Sequence, residues 1–156
     1  MMLSGRLFEE CGGWSIDCAI VGVYTQGPTR EIALANLAEA IEMVVEREGF
    51  KVAVIETGQV DAGADIVFVD PSDPAPLLAA VLRQRRGWNK LTLSEVAEKL
   101  GASSADEYAA YEEGKVDPSI SKFREFLAVV APEYALTLGY RAEGSTPTRT
   151  SPREPR

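Results

Sequence analysis

Hydrophobic positions near the N-terminus recur at every second residue, which is the period of a strand with one buried face. The alternating run follows Gly12-Gly13, and its apolar side chains are Trp14, Ile16, Cys18 and Ile20. The stretch 6–10 before the glycines predicts the hairpin partner of this strand. The β-rich run continues through residues 21–25 and ends at Gly27-Pro28.

One long helix is predicted next. Thr29 is a suitable N-cap, and apolar residues then recur at helical spacing until Gly49, which is typical of a glycine after a helix. Two runs rich in β-branched residues, 51–56 and 65–70, predict further strands. This region is therefore three strands, a helix and one or two more strands, an α+β layer in which one helix packs on a small antiparallel sheet.

Beyond the proline- and aspartate-rich stretch 70–74, every hydrophobic pattern is helical. Four helices are predicted, at 77–86, 93–100, 105–113 and 119–130. Prolines and polar residues dominate the C-terminus, which predicts disorder. We therefore expect an acidic α/β domain at 1–71, an all-α domain at 74–140 and a disordered tail at 141–156. Each domain is near the lower size limit for an independent core, so a homodimer or higher homo-oligomer is expected.

The net charge of −8 is unevenly distributed along the chain. Residues 1–70 contain 12 acidic and 4 basic side chains, residues 71–140 contain 10 and 8, and residues 141–156 contain 2 and 4. An acidic surface of this kind repels nucleic acid and attracts a basic partner. The front half is therefore predicted to bind a cationic protein rather than DNA.

The available residue types exclude several classes of enzyme. The chain has no histidine, and its two cysteines, Cys11 and Cys18, cannot complete a tetrahedral zinc site by themselves. We expect both to be reduced thiols, with Cys18 in the core, and we expect no metal, no cofactor and no enzymatic activity. No apolar run reaches membrane length and no signal-peptide pattern is present, so a cytoplasmic location is expected.

Two segments of the rear half form a motif. The first is Leu93–Gly101, in which Val96, Ala97 and Leu100 form the inner face of a short helix; the second is Tyr111–Ser119, with Glu-x-Gly-Lys before Pro-Ser. Gly101 permits a tight turn between crossed helices. The segments resemble the helix-turn-helix of the phage-repressor and XRE families.

This resemblance implies that the third rear helix lies in the major groove of DNA. Ser104 and Glu107 have capping-box spacing, so that helix should begin at Ala105, and its reading surface would include Ser104, Asp106 and Glu107. Affinity would come mainly from basic residues that contact phosphates, although some could be ordinary solvated charges. These candidates are Arg83, Arg85, Arg86, Lys90, Lys99 and Lys115. Tyr108 and Tyr111 are predicted to be packing residues.

A second resemblance lies in the front half. The segments Gly12–Asp17, Thr25–Ala33 and Ala38–Ile41 resemble the HicB antitoxin family. This family implies a partial ribonuclease H-like fold that covers a small, basic, RNA-cleaving HicA-type toxin. The residues expected to contact the toxin are Arg6, Glu9, Glu10, Trp14, Asp17 and Tyr24.

The sequence therefore predicts an antitoxin that binds its toxin directly and represses its own operon through a dimeric helix-turn-helix domain. One alternative is a stand-alone transcription regulator whose front domain senses a small ligand or dimerises. Another is a minimal nuclease of ribonuclease H type. Against the nuclease, Asp17 is the only acid at an evident strand centre, and metal-dependent nuclease chemistry needs several converging carboxylates.

Overall fold

The computed structural model describes residues 1–136, which divide into two units, Met1–Ser72 and the residues from Asp73 onward. The segment 141–156, predicted to be disordered, lies outside the described residues. The first unit contains one antiparallel sheet in the order β3-β2-β1-β5-β4. Its strands are β1 Leu3–Glu10, β2 Gly13–Cys18, β3 Val23–Gly27, β4 Val52–Asp61 and β5 Ala64–Pro71.

The helix of the first unit, α1, spans Arg30–Val45. Its N-cap is Thr29 as predicted, because the Thr29 hydroxyl accepts a hydrogen bond from the Ile32 amide at 3.3 Å. The predicted end at Gly49 is wrong, since the helix ends at Val45 and Glu46 adopts the left-handed conformation with φ 53°. A glutamate can occupy this C-cap at some conformational cost, so glycine alone is an imprecise marker of a helix end.

The β-rich run after Trp14 contains two strands, β2 and β3, so three strands precede the helix as predicted. Strand β2 ends at Cys18, and the Gly22 amide donates to the Cys18 carbonyl at 3.0 Å in the turn before β3. The alternating pattern had predicted that Ile20 continues the buried face of the strand. Ile20 instead lies in the turn after β2. The turn between β2 and β3 is hard to recognise in the sequence because it contains apolar residues. Gly22, with φ 78°, is its main sequence marker.

The core of the first unit lies between α1 and one face of the sheet. Ala33, Leu37 and Ile41 of the helix are fully buried, and so are Leu7 and Ile16 of the sheet. Cys11 and Cys18 form no disulfide with each other, and the thiol of Cys18 is buried as predicted, whereas that of Cys11 is exposed. Close packing of α1 on β3 requires Gly27, because a Cβ at this position would lie 2.6 Å from the Ala33 nitrogen.

Two side chains of α1 also bond to the outer strands of the sheet. The Asn36 amide group donates to the carbonyl of Gln26 in β3 at 2.8 Å. The Glu42 carboxylate accepts from the backbone amide of Val52 in β4 at 3.1 Å, and it pairs with Lys51 at 2.8 Å. The helix therefore contacts the backbone of both edge strands.

The second unit is entirely helical in its described part. Its helices are α2 Pro74–Trp88, α3 Leu93–Leu100, α4 Ala105–Glu112 and α5 Ile120–Val130. Helix α2 begins earlier than predicted because Asp73 caps it, accepting from the Ala75 amide at 3.1 Å, and because proline is tolerated in a first turn. The core of this unit contains Leu82, Val96, Tyr108 and Phe123.

The predicted fold class is confirmed: an antiparallel sheet with one packed helix precedes an all-helical unit. Within residues 1–136, no helix combines the length and the hydropathy required to cross a membrane.

Candidate DNA-binding and partner-binding surfaces

Helix α3 begins with a complete capping box. The Thr92 hydroxyl accepts from the Glu95 amide at 3.1 Å, and the Glu95 carboxylate accepts from the Thr92 amide at 2.7 Å. The hydrogen bond from the Thr92 backbone holds the pKa of Glu95 below its ordinary value, and the Thr92 side chain adds to this effect. The motif was not predicted, although Thr-x-x-Glu spacing is visible in the sequence.

The turn between α3 and α4 depends on Gly101. This residue has φ 66°, and the amide of Ala102 donates to the carbonyl of Ala97 at 2.9 Å, which ends α3 sharply. Helix α4 then begins at Ala105, as predicted. The predicted Ser104–Glu107 capping box is wrong, since the Ser104 side chain makes no cap hydrogen bond and Glu107 instead accepts from Ser103 at 3.2 Å.

Aromatic packing holds α4 against α5. The rings of Tyr108 and Tyr111 meet Phe126 edge-on, with centroid distances of 5.2 and 4.8 Å. The two tyrosines are therefore packing residues, as predicted. Burial raises the pKa of Tyr108 well above its ordinary value, and the nearby Glu112 carboxylate adds to the increase.

An ion pair fixes α4 relative to α2. Glu112 is 4% exposed, and both its carboxylate oxygens accept from the guanidinium of Arg86 at 2.8–3.0 Å. Arg86 also donates to the Leu91 carbonyl at 3.0 Å, while Arg83 donates to the Glu112 carbonyl at 3.4 Å. The hydrogen bonds with Glu112 raise the pKa of Arg86. Arg86 therefore positions the helix expected to read DNA.

Arg85 is also engaged within the second unit. It is 6% exposed, and its guanidinium stacks between the rings of Trp88 and Tyr134 at 4.4 and 4.5 Å. It donates to the Tyr134 hydroxyl at 3.0 Å. The structure therefore places Arg85 inside the unit and Arg86 in an ion pair, although both had been expected to contact phosphates.

The other residues expected to contact DNA have exposed side chains. These residues are Arg83, Lys90, Lys99, Ser104, Asp106, Glu107 and Lys115. Ser104, Asp106 and Glu107 lie together at the start of α4. Lys115 follows α4 and forms a salt bridge with Glu113, whose hydrogen bond raises the pKa of Lys115.

The six residues expected to contact a toxin lie on two different faces of the first unit. Trp14 faces α1, because the guanidinium of Arg30 lies 5.0 Å from its ring, and Glu9 is its partner in the β1–β2 register. Because side chains alternate along a strand, the other four lie on the opposite, outer face. These are Arg6, Glu10, Asp17 and Tyr24.

Two polar groups lie on this outer face. Arg6 and Asp17, opposite each other in β1 and β2, form a salt bridge of 2.7 Å. Farther along, one oxygen of Glu10 accepts from the hydroxyls of Ser15 and Tyr24, each at 2.8 Å. The bond from Ser15, followed by that from Tyr24, holds the pKa of Glu10 below its ordinary value. Ser15 had not been predicted, since its role depends on the strand register.

Residues 77–131 match a family model described as a helix-turn-helix domain. The match extends from α2 through α5 and confirms the predicted helix-turn-helix. No curated protein and no solved structure matches the chain. The second unit is thus a helix-turn-helix domain, a class of fold that binds DNA. The chain combines a domain of the kind found in DNA-binding regulators with an acidic α+β unit that precedes it.

Proposed function

We propose that this protein is an antitoxin of a type II toxin–antitoxin pair. Its front unit neutralises a small, basic, RNA-cleaving toxin by direct binding, and its helix-turn-helix domain represses the operon that encodes both proteins. The main support is the presence of 12 acidic and 4 basic side chains in residues 1–70 of a chain that also carries a helix-turn-helix domain. A unit so acidic opposes DNA binding and favours a cationic partner.

On the DNA side, α4 enters the major groove and its first turn meets the base edges. Asp106 and Glu107 are exposed there, and a carboxylate can accept a hydrogen bond from the N4 amino group of cytosine. The exposed side chains of Arg83, Lys90 and Lys99 contact phosphates together with Lys115. Arg85 and Arg86 are left out of this contact set because they stabilise the domain from within.

On the toxin side, inhibition is by occlusion. The outer sheet face that carries Arg6, Glu10, Asp17 and Tyr24 covers the RNA-binding surface of the toxin. Glu9 and Trp14 are left out of this contact set because they lie on the helix side of the sheet. The HicB-like segments support the same role. Because the protein would bind operon DNA and a toxin that cleaves RNA, we place it in the cytoplasm.

The protein acts as a homodimer or higher oligomer. Two helix-turn-helix domains related by a two-fold axis would contact half-sites about one DNA turn apart. Toxin binding would change operator affinity by altering the geometry of the assembly, and operator binding would change toxin affinity by the same factor.

Co-expression with the small basic protein encoded beside this chain tests the proposal. We expect the neighbour to arrest growth alone, growth to recover when this chain is present, and the two proteins to co-purify. The promoter fragment upstream of the pair should bind the complex. If the neighbour is harmless and does not co-purify while the chain still binds the promoter, the protein is a stand-alone regulator whose front unit dimerises or senses a ligand.

A further inference from the structure

The outer face of β1, β2 and β3 contains a carboxylate, that of Glu10, which hydrogen bonds orient but which pairs with no cation among residues 1–136. We propose that this face is a docking surface for an arginine side chain of a basic partner protein, with Glu10 as the acceptor and Tyr24 as the stacking platform. This inference rests on the proposed function for the identity of the partner, and on the geometry of the sheet for the location of the surface.

Four acidic side chains of the first unit are already engaged in ion pairs. Asp17 pairs with Arg6, and Glu42 pairs with Lys51. Glu56 and Asp65 both pair with Arg30. Within residues 1–136, Glu10 forms no salt bridge and is held instead by the neutral hydroxyls of Ser15 and Tyr24. Its negative charge is therefore left for a cation from another molecule.

The geometry around Glu10 suits a guanidinium. Both hydroxyls bond to the same oxygen, Oε2, so Oε1 is left to accept from a partner. Tyr24 is itself fixed by Gln26, which donates to its hydroxyl at 2.9 Å. Since the acceptor is already oriented, docking loses little side-chain entropy. The ring of Tyr24, 54% exposed, lies beside it and offers a face for stacking.

These features favour arginine over lysine. A planar guanidinium can donate to a carboxylate while it stacks on an aromatic ring, whereas an ammonium group is a compact and strongly hydrated charge. They also disfavour nucleic acid, because the phosphates would meet the acidic unit with like charge. The opposite face of the sheet is covered by α1, whose Leu37 and Ile41 are fully buried, so it offers no comparable surface.

Fluorescein-labelled octa-arginine and octa-lysine peptides provide the test with the full-length chain. We expect octa-arginine to bind more tightly than octa-lysine by fluorescence anisotropy. Glu10→Gln should weaken octa-arginine binding about three- to tenfold. Glu9→Gln is the matched control, since it removes the same charge one residue away on the other face, and it should weaken binding less than about twofold.

Amide NMR shifts locate the binding site. They distinguish peptide binding at Glu10 from attraction of the peptide by the overall negative charge of the unit. Octa-arginine should shift the amide signals of Ser15, Tyr24 and Gln26. Tyr24→Phe retains the ring but removes one hydrogen bond to Glu10, so it should cause an intermediate loss of affinity. Equal losses for Glu9→Gln and Glu10→Gln, or equal binding of the two peptides, would overturn the inference and indicate a diffuse acidic field.

The docking surface and the antitoxin role can fail separately. If octa-arginine binds at Glu10 but the neighbouring protein is neither toxic nor co-purified, the surface stands and the antitoxin function fails. If this chain and its Glu10→Gln variant rescue growth equally and no peptide shift appears at Ser15 or Tyr24, the antitoxin function stands and the docking surface fails. Unfolding midpoints measured for each variant confirm that the fold is retained.

Discussion

Glu112 is a buried acidic side chain whose partner is the guanidinium of Arg86. It is 4% exposed, and within residues 1–136 Arg86 donates three hydrogen bonds to its carboxylate. Desolvation of a carboxylate is costly, and the cost is offset only while the cation remains in place. The stability of the helix-turn-helix domain therefore depends strongly on this pair.

Arg86→Met should destabilise the helix-turn-helix domain by about 3 kcal/mol, because Glu112 would remain buried without its cation. Urea unfolding followed by circular dichroism measures the change. In the double variant with Glu112→Leu, most of the stability should return, since an apolar pair removes the unpaired charge.

Lys115→Met is the control for this prediction. It breaks the exposed pair with Glu113 and should cost only a small fraction of the Arg86→Met effect. Equal effects of the two substitutions would mean that burial of Glu112 does not determine the loss in the free energy of unfolding.

The carboxyl group of Glu10 gives a prediction about pH. Its hydrogen bonds with Ser15 and Tyr24 lower its pKa below the ordinary value of 4.5. Such a group stabilises the folded state above the unfolded pKa, and this contribution is lost as the pH falls through the depressed folded pKa. In NMR titrations, Ser15→Ala with Tyr24→Phe should move the Glu10 midpoint upward. An unchanged midpoint would contradict the hydrogen-bonded arrangement.

At the scale of elements, the capping box at the start of α3 should make a measurable contribution to the stability of the domain. Thr92→Ala removes the side-chain half of the capping box and should destabilise the domain by about 1 kcal/mol. The amides of the first turn, from Leu93 to Glu95, should exchange with solvent faster, which hydrogen-exchange NMR measures.

Ser104→Ala provides the comparison for the cap. Ser104 precedes α4 in the same extended conformation but makes no side-chain cap bond. Its substitution should therefore change stability by less than about 0.5 kcal/mol. A loss as large as that of Thr92→Ala would show that Ser104 does cap α4 in solution.

The elements that the sequence predicts well are those whose ends are specified locally. Thr29 and Gly101 mark their helix ends within a few residues, so the start of α1 and the turn after α3 could be placed. The Arg86–Glu112 pair joins positions 26 residues apart, and no local pattern indicates it. The faces of Glu9 and Glu10 depend on the β1–β2 register, which a sequence with polar residues on both sides of the strand does not determine.

At the scale of the whole molecule, the two units should respond differently to salt when promoter DNA binds. Each phosphate contact contributes roughly one unit to the slope of log affinity against log salt. Lys99→Gln should therefore reduce the slope by about one. The matched change Lys51→Gln, in the acidic unit, should leave it unchanged. Fluorescence anisotropy across a salt series measures both, and equal slopes for the two variants would remove Lys99 from the DNA surface.

The division of charge between the two halves could be read directly from the sequence, because it depends only on composition. The residues of each half that are available on the surface for binding could not be read from the sequence. Arg85 and Arg86 lie in a basic run that is typical of a phosphate-binding surface, yet packing against Trp88 and pairing with Glu112 engage both of them. Burial and pairing are properties of the folded chain, so a count of basic residues overestimates those available to DNA.

The bonds from α1 to the edge strands have a consequence for the free protein. Exposed sheet edges invite strand addition by another molecule, which leads to aggregation. The side chain of Asn36 already donates to a carbonyl of β3, and that of Glu42 accepts from an amide of β4. An added strand would therefore have to displace one of these side chains at either edge. One helix therefore both completes the core and obstructs strand addition at one point on each edge of the sheet.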